Sequence, residues 1–121
     1  MSLPFLDPVK RLAKRIQSDW GLEPATALAA AKLITWCAHY GITIRIVSGR
    51  RSTQKQAELY YTRRGVAPGV PVARPGTSTH EKGIAFDAAW DYGWWRAVSY
   101  LATQAGLKWG GWSDPVHFSR R

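Results

Sequence analysis

His80-Glu81-Lys82-Gly83-Ile84-Ala85-Phe86-Asp87 is the stretch on which the fold turns. It is not the helical HExxH zinc motif, because the second histidine would fall at Ile84 and Gly83 disfavours a helix. The chain instead leaves a loop at His80, turns at Gly83 and enters a strand over Ile84–Ala88. Asp87 is then a polar side chain in an otherwise apolar strand. A carboxylate there is costly to bury unless it is paired or binds a metal.

Upstream, Gly65–Thr79 contains three Gly and three Pro and reads as loop. Before it, Ser52 is placed to cap a helix running to about Arg64, with Ala57, Leu59 and Tyr60 facing inward. The β-branched run Ile42–Val47 reads as a half-buried strand. An Ala-rich helix opens at Glu23-Pro24 and runs to about Tyr40, with Gly41 to end it. An earlier helix opens with Asp7 as N-cap and Pro8 at its first position. Its apolar face is Val9, Leu12, Ala13 and Ile16, and its cationic face is Lys10, Arg11, Lys14 and Arg15. Such a face is either solvated or laid on a membrane surface.

Downstream, Tyr92–Ala105 reads as a helix stopped by Gly106, and Leu107–Trp109 and Val116–Ser119 as short strands around Gly110-Gly111. The order ααβα(loop)βαββ predicts an α+β fold, a small, mostly antiparallel sheet with helices packed on it. The 121 residues make a single domain, with a helical part over 1–40 and a second part over 41–121.

Apolar residues are 45% of the chain, so one core can form, and charged residues are 21%, too few for wholesale disorder. Seventeen Lys and Arg against eight Asp and Glu give a net charge of +9, which favours polyanions such as nucleic acid, anionic lipid or acidic cell-wall polymers. The single cysteine, Cys37, excludes an intramolecular disulfide and a CxxC zinc site, and its apolar setting predicts a buried inert thiol. No apolar run approaches the roughly 20 residues of a membrane span. Met1-Ser2-Leu3-Pro4 is not followed by an apolar segment ending in small residues. The expectation is a protein made in the cytoplasm.

Three histidines are present. His39 falls at the end of the second helix, where an imidazole favours the dipole and need do nothing else. His80 and His117 each stand at a loop–strand junction with an aspartate near. Two histidines and Asp87 would make an open tetrahedral site with a fourth position for water, the arrangement of catalytic zinc. Asp114, three residues before His117, would stand near that water as general base and later general acid. Spacing alone also allows a chance grouping of two His and two Asp.

Three segments together resemble one family. Ser48-Gly49-Arg50-Arg51-Ser52 with Gln56, Leu59 and Tyr60 is similar to the SGYRSxxxQxxLY signature of the D-Ala-D-Ala carboxypeptidase (VanY-like) metallopeptidases. Ser78–Asp87 resembles that family's SxHxxGxAxD. Asp114-Pro115-Val116-His117-Phe118, after Trp109-Gly110-Gly111-Trp112, resembles its closing DxxHF. The three lie in the family's order across Ser48–Phe118. Arg50 stands where the family has an aromatic, and the first 40 or so residues carry no motif of it.

The resemblance implies the fold shared with the hedgehog signalling domain, and one zinc ion per chain held by His80, Asp87 and His117. It also implies Asp114 as the catalytic acid/base and Arg51 as the group that binds the substrate carbonyl and stabilises the oxyanion. Ser78 either orients a ligand or is a plain turn serine. Gln56 either positions Arg51 or substrate or lies on a helix surface. Glu81 is either a rival base or a solvated loop charge. Trp109 and Trp112 either line the cleft or, for Trp109 above all, pack in the core.

In size the chain resembles the phage L-alanyl-D-glutamate endopeptidase endolysins. The expected activity is therefore zinc-dependent hydrolysis of a peptidoglycan stem-peptide bond, L-Ala-D-Glu first and D-Ala-D-Ala second. The enzyme would be a monomeric lysin that reaches the wall after release or on a virion, helped by attraction to anionic wall polymer or lipopolysaccharide. With the motifs ending at Phe118, no wall-binding module is expected. Other classes are a basic nucleic-acid-binding module, against which the dispersed cations argue, and a zinc domain without catalysis, against which Asp114 and Arg51 argue.

Overall fold

A computed structural model describes residues 6–50, 57 and 82–120 of the chain. The predicted loop Gly65–Thr79 and, apart from the helical Ala57, the predicted Ser52–Arg64 helix lie outside the described residues. The elements are α1 (Leu6–Trp20), α2 (Pro24–His39), β1 (Ile44–Ser48), β2 (Ala85–Trp90), α3 (Trp95–Ala105), β3 (Lys108–Trp109) and β4 (His117–Ser119). Single 3-10 turns at Tyr92–Trp94 and Gly111–Ser113 lead into α3 and follow β3. All described pairings are antiparallel, in the order β1-β2-β4-β3.

The helices follow the apolar pattern. In α1, Val9, Ala13 and Ile16 are buried and Lys10, Lys14 and Arg15 are exposed. The helix begins at Leu6, one residue before the Asp7 expected to cap it. The small residues of α2 let it pack closely: Ala27, Ala30, Ala31, Leu33 and Cys37 are shut off from solvent between α1, α3 and the sheet. Phe86 and Phe118 supply the sheet's side of this core, their rings stacked 5.5 Å apart.

All four described strands begin one or two residues later than the sequence suggests, and for β1 and β3 the reason is the same. The Ile42 N–H bonds the Cys37 carbonyl (2.9 Å) and the Gly41 N–H bonds that of Ala38 (3.0 Å), which closes α2 in a Schellman motif. Leu107 and Gly106 close α3 in the same way, onto Ala102 (2.8 Å) and Thr103 (3.1 Å). Ile42 and Leu107 are buried, but their amides serve the preceding helix, so the ladders start at Ile44 and Lys108.

Burial pushes the Cys37 thiol up from 9.0 to about 11. At pH 8 its thiolate fraction is then about 100-fold below that of a free thiol. Iodoacetamide is expected to label Cys37 at least about 100-fold more slowly in the native chain than in urea. Equal rates would mean that the thiol is open to solvent. A raised thiol pKa also means that the neutral, buried form contributes stability below pH 9.0 and that this contribution disappears as pH passes about 11.

Candidate active site

The site begins with strand register. Asp87 of β2 is the cross-strand partner of His117 of β4. The Ala88 amide donates to the Val116 carbonyl (2.9 Å), so 88 and 116 form a hydrogen-bonded pair and 87 and 117 the alternating, non-hydrogen-bonded kind. Side chains of that kind stand closest. Phe86 and Phe118, one residue along each strand, point to the core, so Asp87 and His117 share the opposite face. A slip of one residue in either strand would bury that strand's polar side chain and expose its ring.

The geometry of three side chains follows. His117 Nδ1 lies 3.5 Å from Asp87 Oδ1 and 3.9 Å from Asp114 Oδ2. Asp87 and His117 are half-buried, with 19% and 21% of the side chain exposed, and Asp114 is more open at 35%. The structure thus brings together the predicted Asp87, His117 and Asp114. The predicted His80, Arg51, Ser78 and Gln56, and the rival base Glu81, lie outside the described residues.

The donor set fits a small cation of the zinc type. Imidazole nitrogen and carboxylate oxygen are zinc ligands with bonds of about 2.0–2.2 Å, and tetrahedral edges between such ligands come to roughly 3.4 Å. The 3.5 Å between Asp87 and His117 is of that size. Among the described residues no group of three or more His, Cys, Asp or Glu could hold a metal, so a metal at Asp87 and His117 would require a further ligand.

β1 reaches the same face through a bulge. Its register runs Ile44 with Trp90 and Ile46 with Ala88, then shifts so that Ser48 partners Asp87. Val47 is the extra residue, and it brings Ser48 rather than itself opposite Asp87. The following Gly49 packs against the end of α1, where an added Cβ would lie 2.3 Å from the Trp20 carbonyl oxygen. The Arg50 amide donates to that same oxygen (2.8 Å), and the Glu23 amide donates to Gly83 (2.9 Å). Glu23 also pairs with Arg120, just beyond β4. The α1–α2 junction, Trp20–Glu23, is therefore the anchor for two site segments. Sequence reading missed this role because backbone carbonyls carry no residue signature.

Gly110 closes the other side of the site. Its amide donates to the His117 carbonyl (2.7 Å). A Cβ on it would meet the Asp114 carbonyl oxygen at 2.3 Å and the His117 Cβ at 3.1 Å. Gly110→Ala must push backbone away, and is expected to cost about 1–3 kcal/mol of stability while spreading Asp114 from His117. Thermal unfolding checks this; a melting temperature equal to the parent's would show that the turn yields freely.

Around Gly110 stands an aromatic group. Trp109 packs against Trp90 (5.8 Å), Trp112 (5.4 Å) and Trp95 (6.4 Å). Trp109 belongs to the core's edge, as packing expects, while Trp112 is 59% exposed and contacts Tyr92 and Trp95.

Comparison with the curated proteins finds no match. Among solved structures, a zinc(II) complex of the vancomycin-resistance D,D-pentapeptidase VanY from a VanB-type cassette superposes with a TM-score of 0.66 at 21% identity, over 81% of this chain and 71% of that one. The LD-carboxypeptidase LdcB gives 0.67 at 23% identity, over 81% of this chain and 64% of that one. The Serratia marcescens L-Ala D-Glu endopeptidase ChiX gives 0.58 at 19% identity, over 98% of this chain and 94% of that one. These likenesses establish the α+β fold read from the sequence. The family model of the VanY D-alanyl-D-alanine carboxypeptidases matches residues 19–96, and the chain belongs to that family.

Proposed function

We propose that the protein is a zinc-dependent peptidase that hydrolyses a peptide bond in peptidoglycan stem peptides, with L-Ala-D-Glu as its bond. The observation that carries this reading is the convergence of the Asp87 and Asp114 carboxylates on one ring nitrogen of His117 at 3.5 and 3.9 Å. Asp87, His117 and His80 would hold zinc. When bound there, zinc would supply a Lewis acid for the scissile carbonyl and would lower the pKa of the attacking water to about 7. Asp114 takes the proton of that water and delivers it to the leaving amine, which its greater exposure permits. Arg51 binds the carbonyl and offsets the oxyanion's charge; loss of such a donor typically costs about 10²–10³ in rate. Ser78, Gln56 and Trp112 contact the substrate.

The choice of bond is supported by extent: the likeness to the L-Ala D-Glu endopeptidase runs through nearly the whole of both chains. A second reading, D-Ala-D-Ala carboxypeptidase, is favoured by the family match and by the likeness to a D-alanine-D-alanine complex of VanYB with a TM-score of 0.66. On either reading the net charge of +9 draws the enzyme to anionic wall polymer or lipopolysaccharide. A phage or prophage lysin, monomeric and reaching the wall after release or on a virion, is the setting we propose.

Mass spectrometry of purified peptidoglycan fragments, digested with and without a chelator, tests the proposal. The expected product carries a new D-Glu amino terminus and is lost with chelator. Release of free D-alanine instead selects the second reading. DNA binding without any cleavage would favour a nucleic-acid module and overturn both.

A further inference from the structure

We propose that Trp90 and Trp109 are positioning residues of this site: their indole N–H groups together hold the Pro115 carbonyl and so fix the Asp114 carboxylate against His117. The inference rests on the reading of Asp114 as the proton-transferring group.

The segment from Asp114 to His117 has four backbone carbonyls, and each needs a donor. Asp114 accepts from the His117 amide (3.1 Å), Val116 from the Ala88 amide (2.9 Å) and His117 from the Gly110 amide (2.7 Å). Pro115 differs. Among the described residues its carbonyl takes two side-chain donors, Trp109 Nε1 at 2.7 Å and Trp90 Nε1 at 3.2 Å. Proline has no N–H of its own, so the Asp114–Pro115 peptide cannot be held from its nitrogen. The Asp114 side of that peptide is held by the His117 amide, and the indoles hold the next one, Pro115–Val116, through its carbonyl.

The two donors come from different strands, Trp90 at the end of β2 and Trp109 at the end of β3. Their rings meet edge to face, and Trp90 also touches Phe118 and Tyr92. A half-buried Trp needs a partner for its N–H. Here one carbonyl satisfies both, and ring packing sets the direction of each bond. Placing an acid/base group to within a fraction of an ångström decides its rate, since a misplacement of about 1 Å can cost roughly 100-fold.

The test replaces Trp109 in the full chain, loaded with zinc, by 3-benzothienylalanine, which keeps the bicyclic shape and loses the donor. 5-Fluorotryptophan at the same position keeps the donor and serves as the conservative control. Trp90→Phe is the second variant. Expected results are a kcat lower by about 10- to 100-fold with KM within about twofold, and parental kcat for 5-fluorotryptophan. In an Asp114→Asn background the benzothienyl change should lower kcat by less than about twofold, because the two act through one group. The activity-independent readout is a crystal structure of the benzothienyl chain, in which the Asp114–His117 separation should change by about 1 Å. An unchanged separation overturns the clamp, as does an equal loss of kcat with and without Asp114. If Asp114→Asn alone retains turnover while the separation does change, it is the functional reading that fails.

Discussion

Asp114→Asn is expected to keep the fold and the bound zinc while turnover falls by about 10²–10⁴, the usual contribution of a general acid–base group. The two carboxylates near His117 differ in ways that suit the different work proposed for them. Asp87 stands in a strand, directly across from His117, closer to its ring nitrogen and more enclosed. Asp114 follows a 3-10 turn, lies 0.4 Å farther (3.9 against 3.5 Å) and has nearly twice the exposure. A ligand benefits from enclosure and rigidity; a group that must pick up a proton from water and hand it to an amine needs access. The amide side chain is close in size to the carboxylate and leaves in place the backbone bonds that seat this residue, from its amide to Gly111 (3.2 Å) and from the His117 amide to its carbonyl (3.1 Å). Zinc content by atomic absorption and kcat on the identified muropeptide check the two halves separately. Near-parental turnover would move the base elsewhere, to Glu81 first.

Particular residues show what the sequence made legible. The α1 face of Val9, Ala13 and Ile16 was readable because helical period and burial coincide there. The turn at Gly83 and the strand carrying Asp87 were readable because glycine breaks the alternative helix, and β2 runs two residues past the expected end, to Trp90. The pairing of Asp87 with His117 was readable only as a shared chemistry, since no local pattern fixes which residues of two strands thirty apart stand opposite. The late starts of β1 and β3 were hidden because Ile42 and Leu107 look like strand residues while their amides belong to helix ends. The bulge at Val47 was hidden for the same kind of reason: register is a property of two strands and of what they bury. The indole bonds were hidden too: Trp109 reads from sequence as cleft lining or core packing and Trp90 carries no separate signal, although a buried tryptophan N–H usually finds a partner.

Zinc is expected to raise the melting temperature of the parent chain, and Asp87→Ala or His117→Ala to abolish that rise together with the activity. The contact between Asp87 and His117 admits two physical accounts. As an ion pair between a carboxylate and a charged imidazole near the surface, it contributes about 0–1 kcal/mol and takes no notice of zinc. As two ligands of one ion, it links folding to metal, and a ligand at about 1,000 times its Kd adds roughly 4 kcal/mol to the native state. For a domain of this size that is about 15 °C, given some 4 °C per kcal/mol. Differential scanning calorimetry with rising zinc therefore separates the accounts by an effect far larger than the pair itself. On the metal account each single variant loses nearly all of the zinc-dependent rise, because removing one of three ligands opens the site. Asp114→Asn keeps the rise, since its oxygen is not counted among the ligands. A parent chain whose transition does not move with zinc would leave the ion pair as the whole explanation of the contact and would remove the metal from the proposed chemistry. A rise that persists in both ligand variants would place the metal elsewhere on the chain.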